Sequence, residues 1–270
     1  MKGALQRAYK QLQMAYLGPD AVRVPPPYRS TFICYGGSSE VQYIVGRLVP
    51  ASAKRVLVVG VFGGRDYFYL KLRGMHDVHA VDLMPISGFD NLAVANVEEG
   101  LPYPDQFFDA IVTNEVLEHL LKDNCALGHL RRVLKDDGTL VLSVPFLHQS
   151  EPTHLRVHTR VSLERLLASC GFQVRDVVER PGLGCYISWI NVLNHVASLI
   201  TFWTIGITVY GAVLPHIWRL EYVMGHRRLP WRRFSRAWGA YVACQKTSQW
   251  MNYLAMNQQV FGPPPPRHGA

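Results

Sequence analysis

Apolar positions along this chain come in two rhythms that alternate from Arg55 onward. Short, nearly continuous apolar runs predict strands at Arg55–Gly60, Asp77–Asp82, Asn91–Asn96, Asp109–Asn114 and Thr139–Pro145. RVLVVG, the first of them, has no polar face, as expected of a strand buried on both sides. Between these runs the spacing turns helical, predicting helices over Arg65–Arg73, Glu115–Leu121, Ala126–Leu134 and Val161–Cys170. Two more strands are expected at Gly171–Arg180 and Trp238–Lys246. This β-α alternation predicts an α/β fold: a seven-stranded, mostly parallel sheet with helices on both faces.

Outside that block the pattern changes character. Leu5, Ala8, Leu12 and Ala15 recur at helical spacing, so the start reads as an amphipathic helix and not a signal peptide. Val24–Tyr28 breaks the chain with three prolines, and Ser38–Leu48 reads as a helix capped by Ser38 and ending before Pro50. Ile187–Ile217 holds 31 residues without a formal charge. A narrow polar stripe (Ser188, Asn191, Asn194, Ser198, Thr201, Thr204) gives it helical periodicity, and Pro215 is expected to end it. Val196–Leu214 is long enough for one membrane crossing. A single crossing is excluded if Trp238–Lys246 returns to the sheet, and two crossings need about 40 residues. The stretch is therefore expected to lie in one leaflet or to lid a site.

Charge sharpens this. The chain carries a formal net charge of +8, and the excess is local. Arg219, Arg227, Arg228, Arg232, Arg233, Arg236 and Lys246 face a single acid, Glu221, just after the apolar stretch. That arrangement suits an anionic membrane surface; no recognisable nucleic-acid-binding module accompanies it, so a nucleic-acid partner is not expected. Five scattered cysteines without a CxxC pair suggest neither a disulfide framework nor a zinc site, and point to a reducing cytosol.

The candidate chemistry sits where the predicted strands end. Ligands of open α/β sheets bind at the carboxyl ends of strands. Gly60, Gly63 and Gly64 follow the first strand and let the backbone approach a ligand closely. Asp82 closes the second strand, where a carboxylate can accept two ribose hydroxyls. That pair alone would also fit a nicotinamide dehydrogenase. His148, after the fifth strand in SVPFLHQ, is the first candidate for a general base, with His154 and His158 as alternatives.

The third turn distinguishes the two. NVEEGLPYPDQFFDAIVTNEVLEHL, followed by LRRVLKDDGTLVLSVPF, LRVHT and ASCGF, is similar to the signature block of class I S-adenosylmethionine-dependent methyltransferases. The resemblance covers roughly Arg55 to Arg180 and implies a Rossmann-like fold with S-adenosylmethionine as cofactor. It implies that Gly60, Val61, Gly63 and Gly64 face the methionine moiety, and that Asp82 and Leu83 meet the ribose. Asn96 and Val97 would meet the adenine, and Asn114 would lie under the sulfonium. The family's first turn usually reads acid-x-G-x-G-x-G; here Val58 replaces the acid and Phe62 the middle glycine. Asn96 stands where Asp is usual. Glu115, Glu118 and His119, with a later histidine, also resemble the metal-binding set of ubiquinone-pathway O-methyltransferases and small-RNA 2′-O-methyltransferases. VLEHL is equally ordinary in metal-free members, and no metal is expected.

The expected organisation is N-terminal helices packed on the core (1–54), a cofactor-binding core (55–185) and an apolar, then basic, insert (186–237). A last strand and helix (238–256) and a disordered proline-rich tail (257–270) complete it. The expected function is O-methylation of a lipid-linked, glycan or other membrane-proximal small molecule on the cytoplasmic face of a membrane. A quinone-type lipid-soluble acceptor, or a degenerate domain serving as a membrane-bound scaffold, are the alternatives.

Overall fold

The structure, a computed structural model, describes residues 3–4, 47–61, 64–146, 153–180, 184–207, 209, 213, 216 and 239–249. Most of the N-terminal helices, the proline-rich tail and the basic stretch fall outside the described residues. Seven strands form one sheet in the order β3-β2-β1-β4-β5-β7-β6. They are β1 (Arg55–Val59), β2 (Asp77–Asp82), β3 (Leu92–Val94), β4 (Phe108–Asn114), β5 (Leu134–Pro145), β6 (Phe172–Arg180) and β7 (Gly239–Lys246). β7 runs antiparallel to both its neighbours, β5 and β6, and every other pairing is parallel. The helices are α1 (Arg65–Leu72), α2 (Asp123–Val133), α3 (Arg160–Ser169) and α4 (Gly184–Ile205).

The unbroken apolar run of β1 has the consequence its composition predicts. Val56 and Val58 point to one face, into a core with Tyr67 and Leu70 of α1. Leu57 and Val59 point to the other, among Leu127 and Leu130 of α2 and Leu163 and Leu167 of α3. Side chains alternate along a strand, so a strand with helices on both faces must be apolar at every position. Val58 belongs to this core: it is buried opposite Ala80 and Val112, where a carboxylate would face only apolar neighbours.

Three elements differ from expectation. Glu115–Leu121 is not a helix but a single 3-10 turn, Leu117–His119, because Glu115 takes a left-handed φ of 54° and Leu120 is already extended. β5 starts at Leu134, earlier than Thr139, with the Lys135–Gly138 segment bulging between the pairs Phe108↔Leu134 and Ala110↔Thr139. α4 stops at Ile205, well before Pro215. Gly206 ends it with φ 73°, its N–H donating to the Phe202 carbonyl in a left-handed cap.

α4 is also turned the unusual way round. Leu193, Val196, Ile200 and Trp203, spaced to share one face, are between 47% and 63% exposed, while Asn194 and Ser198 on the opposite face are buried. The Thr204 hydroxyl donates to the Ile200 carbonyl of its own helix, 2.8 Å away, which lowers its demand for water. Among the described residues no helix is long and apolar enough to cross a membrane.

A carboxylate pins the bottom of the sheet. Asp109 accepts from the backbone N–H groups of Lys54 and Arg55 and from Lys135 Nζ. Burial pushes its pKa up, but these donors outweigh burial and hold it below the ordinary value. A depressed pKa stabilises the fold above the unfolded-state pKa, and the contribution is lost as pH falls through the folded-state value. Asp109→Ala is expected to cost about 1–3 kcal/mol in urea unfolding at neutral pH. Its deficit against wild type should narrow below about pH 4.

Candidate functional site

The carboxyl ends of β1, β2 and β4 meet at the point where strand order reverses, between β1 and β4. Gly60, at the end of β1, has φ 74° and donates its N–H to the Val81 carbonyl. A side chain here would be strained, and a Cβ would lie 2.6 Å from Val116 Cγ2. The turn after β1 and the turn after β4 are therefore in direct contact, with only a glycine fitting between them.

Asp82 is fixed by that first turn. Its Oδ2 accepts from Val61 N–H at 2.9 Å and its Oδ1 from Met84 N–H at 3.2 Å. Each carboxylate oxygen keeps a further lone pair for a ligand hydroxyl. Asp82 thus orders the glycine turn from the neighbouring strand. Leu83 and Met84, next along, are both exposed apolar side chains at the same edge.

Gly64 begins α1 in the left-handed region, and its N–H returns to the Val61 carbonyl at 2.6 Å. One residue into the helix, Asp66 is buried and accepts from Asn114 Nδ2 at 3.1 Å. This pair joins the start of α1 to the end of β4. Sequence reasoning missed Asp66, because an acid in a first helical turn reads as an ordinary partner of the helix dipole. Asn114 Oδ1, equally buried, takes no hydrogen bond from any described residue. Next to it, Glu115 is tied to β5 twice: its N–H donates to the Ser143 carbonyl, and its Oε1 accepts from the Ser143 hydroxyl at 2.8 Å.

The turn after β3 carries Asn96 and Val97. Asn96 Oδ1 accepts from Glu98 N–H at 3.0 Å, so its side chain shapes the turn. Val97 is buried against the core. Glu98 in turn accepts from the N–H of Lys122, linking this turn to the start of α2.

Phe62, Gly63 and His148 lie outside the described residues. His154 lies beside His119, their ring centroids 4.8 Å apart. His158 is buried next to Phe146 at the end of β5. Burial pushes its pKa down, Asp123 pulls it up and Arg156 pushes it down again; the net shift is downward, which favours a neutral imidazole.

Gly60, Asp82, Asn96, Val97 and Asn114 thus stand at or just after the ends of β1 to β4, on one sheet edge. The described residues also fit a bound cationic cofactor: Asn114 Oδ1 is a buried acceptor in want of a donor.

Comparison with known proteins agrees with this architecture. The methyltransferase domain family matches residues 38–177, which run from before β1 into β6 and leave α4 and β7 outside. No curated protein matches the chain. Among solved structures, the [4+2]-cyclase SpnF is similar with a TM-score of 0.52 at 16% identity, over 77% of this chain and 80% of that one. A SAM-dependent methyltransferase from Archaeoglobus fulgidus is similar with a TM-score of 0.51 at 18% identity, over 78% and 95%. These likenesses are of fold, and a cyclase among them is a reminder that fold does not fix the reaction. The chain belongs to the methyltransferase domain family, and its fold is that of the class I enzymes whose methyl donor is S-adenosylmethionine.

Proposed function

We propose that this protein methylates an oxygen of a lipid-linked or other membrane-proximal acceptor, using S-adenosylmethionine held at the edge formed by Gly60, Asp82 and Asn114. The observation that carries the membrane part is where the insert leaves and rejoins the sheet. Arg180, Gly239 and Pro145 are paired neighbours across β6, β7 and β5. β6 and β5 run in the same direction, so both ends of the 181–238 segment emerge at the carboxyl edge that carries the cofactor residues. α4, which begins this segment, presents Leu193, Val196, Ile200 and Trp203 outward. An apolar face with arginines following it in sequence suits a helix resting in an anionic headgroup layer. The acceptor would then reach the site along that surface.

Asp82 holds the ribose hydroxyls in this reading, while Val61 N–H keeps its carboxylate in place. Leu83 stands beside Asp82 at the ribose, and Asn96 and Val97 border the adenine. Asn114 Oδ1 faces the cationic part of the cofactor, where an amide oxygen stabilises positive charge without competing as a nucleophile. The bound cofactor supplies an electrophilic methyl group, and the protein's contribution is to align acceptor oxygen and methyl in line. Loss of the acceptor's proton requires a base, and His148, three residues after the end of β5 in the sequence, is the candidate. His148→Ala is expected to lower kcat by about 10²–10⁴-fold with S-adenosylhomocysteine affinity unchanged. Single-turnover kinetics and calorimetry check the two halves separately.

The reading as a whole is tested by calorimetry with S-adenosylhomocysteine, followed by methyl transfer to a lipid extract and to a water-soluble fraction of the source cells. Micromolar binding with product in the lipid arm supports it. No binding leaves the fold as a scaffold, and product only in the soluble arm removes the membrane acceptor.

A further inference from the structure

The start of α1 and the end of β4 are joined by a buried polar pair whose hydrogen bonding is one-sided. Asp66 and Asn114 are both more than nine-tenths buried, and Asn114 Nδ2 donates to Asp66 Oδ2 at 3.1 Å. Asp66 shares the inner face of α1 with Leu70, one turn on and fully buried. Nearby acids have other tasks. Asp82 accepts from the N–H groups of Val61 and Met84, and Glu115 from the Ser143 hydroxyl.

A primary amide has nearly the same shape either way round, and rotation about its last bond exchanges the oxygen for the NH₂ group. The Asn114 backbone is held in register with Ser143 of β5, so the direction of the amide is the freedom that remains. Its partner decides that direction. A carboxylate only accepts, so Asp66 draws Nδ2 toward itself, and the reversed amide would set oxygen against oxygen. Oδ1 is left turned away from Asp66, buried, with no donor among the described residues. Leaving a buried acceptor unsatisfied is costly, and a ligand carrying positive charge would remove that cost.

We propose that Asp66 is a positioning residue for methyl transfer: by holding the Asn114 amide with Oδ1 toward the cofactor, it makes the site favour the positively charged methyl donor over its neutral demethylated product. The inference rests on the reading that Asn114 faces the cofactor's cation. S-adenosylmethionine carries one positive charge more than S-adenosylhomocysteine and otherwise differs from it by one methyl group. An oxygen turned toward the sulfonium distinguishes the two, and an NH₂ group in its place would favour the product. Asp66 does this through Asn114. An acid that only complemented the dipole of α1, or braced α1 against β4, would support both ligands equally.

The test is calorimetry of the full chain with each of the two compounds. Asp66→Asn keeps the shape of the pair but can donate to Asn114 Oδ1, which frees the amide to turn. It is expected to weaken S-adenosylmethionine binding by about tenfold or more, with S-adenosylhomocysteine binding little changed. Exchanging the two residues, Asp66→Asn with Asn114→Asp, again leaves an oxygen toward the ligand, because the amide must then donate from position 66 to a carboxylate at 114. This double variant should recover the wild-type preference. Asp66→Ser, smaller and also able to donate, should show the same selective loss, and it carries the test if Asp66→Asn does not fold. Urea unfolding verifies the fold of each variant. Equal loss of both ligands in a folded single variant, or no change in either, overturns the proposal. An exchange that fails to restore the preference overturns it too. Wild type that binds neither compound removes the cofactor site and this inference with it, whereas wild type that binds both, with a ratio unmoved by Asp66→Asn, removes this inference alone.

Discussion

Asp82→Ala is expected to weaken S-adenosylhomocysteine binding by about 10²-fold or more, the largest loss of any single substitution at the sheet edge. Two effects add. The ligand loses a charged acceptor for its hydroxyls, and hydrogen bonds to charged groups contribute about 1.5–3 kcal/mol each. The first turn also loses its anchor, because Val61 and Met84 N–H groups both end on this carboxylate. A merely local role would leave the turn intact. Asp82→Asn separates the two effects, since its amide oxygen can still accept from Val61 while one hydroxyl acceptor is lost. Calorimetry on both variants should therefore place Asn between wild type and Ala. Equal affinity in all three would remove Asp82 from the cofactor site.

The second large effect is expected from α4. Ile200→Glu combined with Trp203→Glu should reduce partition onto anionic vesicles by about 10²–10³-fold. Each exposed side chain loses about 1.5–3 kcal/mol of burial, and each new carboxylate is repelled by the surface. Both positions are more than half exposed, so the substitutions remove no core contact. Folding and cofactor affinity are expected to persist. Vesicle co-sedimentation at low and high salt checks this. Wild type that stays in the supernatant under both conditions would sink the membrane reading, and so would a double variant that pellets as wild type does.

Legibility in the sequence followed the physical range of each interaction. β1, β2 and β4 were readable because burial on both faces leaves no polar position to confuse the signal, and their ends then placed Gly60, Asp82 and Asn114 together. The turn at Leu117–His119 was not, since VLEHL has helical spacing, and the left-handed φ of Glu115 with the extended Leu120 holds the segment to a single turn. Asp66 was missed for a related reason: its partner, Asn114, is 48 residues away and no local pattern links them. The Lys135–Gly138 bulge has no signal of its own in the sequence, because pairing across a bulge depends on the neighbouring strand. The helical period of α4 was visible, but not its orientation. A polar stripe is ordinarily taken to face water, and here Asn194 and Ser198 are turned away from it. The substitution of Val for the usual acid at position 58 became intelligible only with the core around it, and with Asp82 supporting the loop from the next strand.

The pairing of Arg180 with Gly239 separates two kinds of inheritance in this chain. Their adjacency means that a turn of about two residues could join β6 and β7 as an ordinary hairpin in place of everything between them. The sheet does not depend on that segment for its register, which is set by eight residues of β7 against β5 and β6. A change in the length of what lies between need not shift that register. The 181–238 segment is in this sense a graft on a finished sheet, inserted where its two ends cost the sheet least.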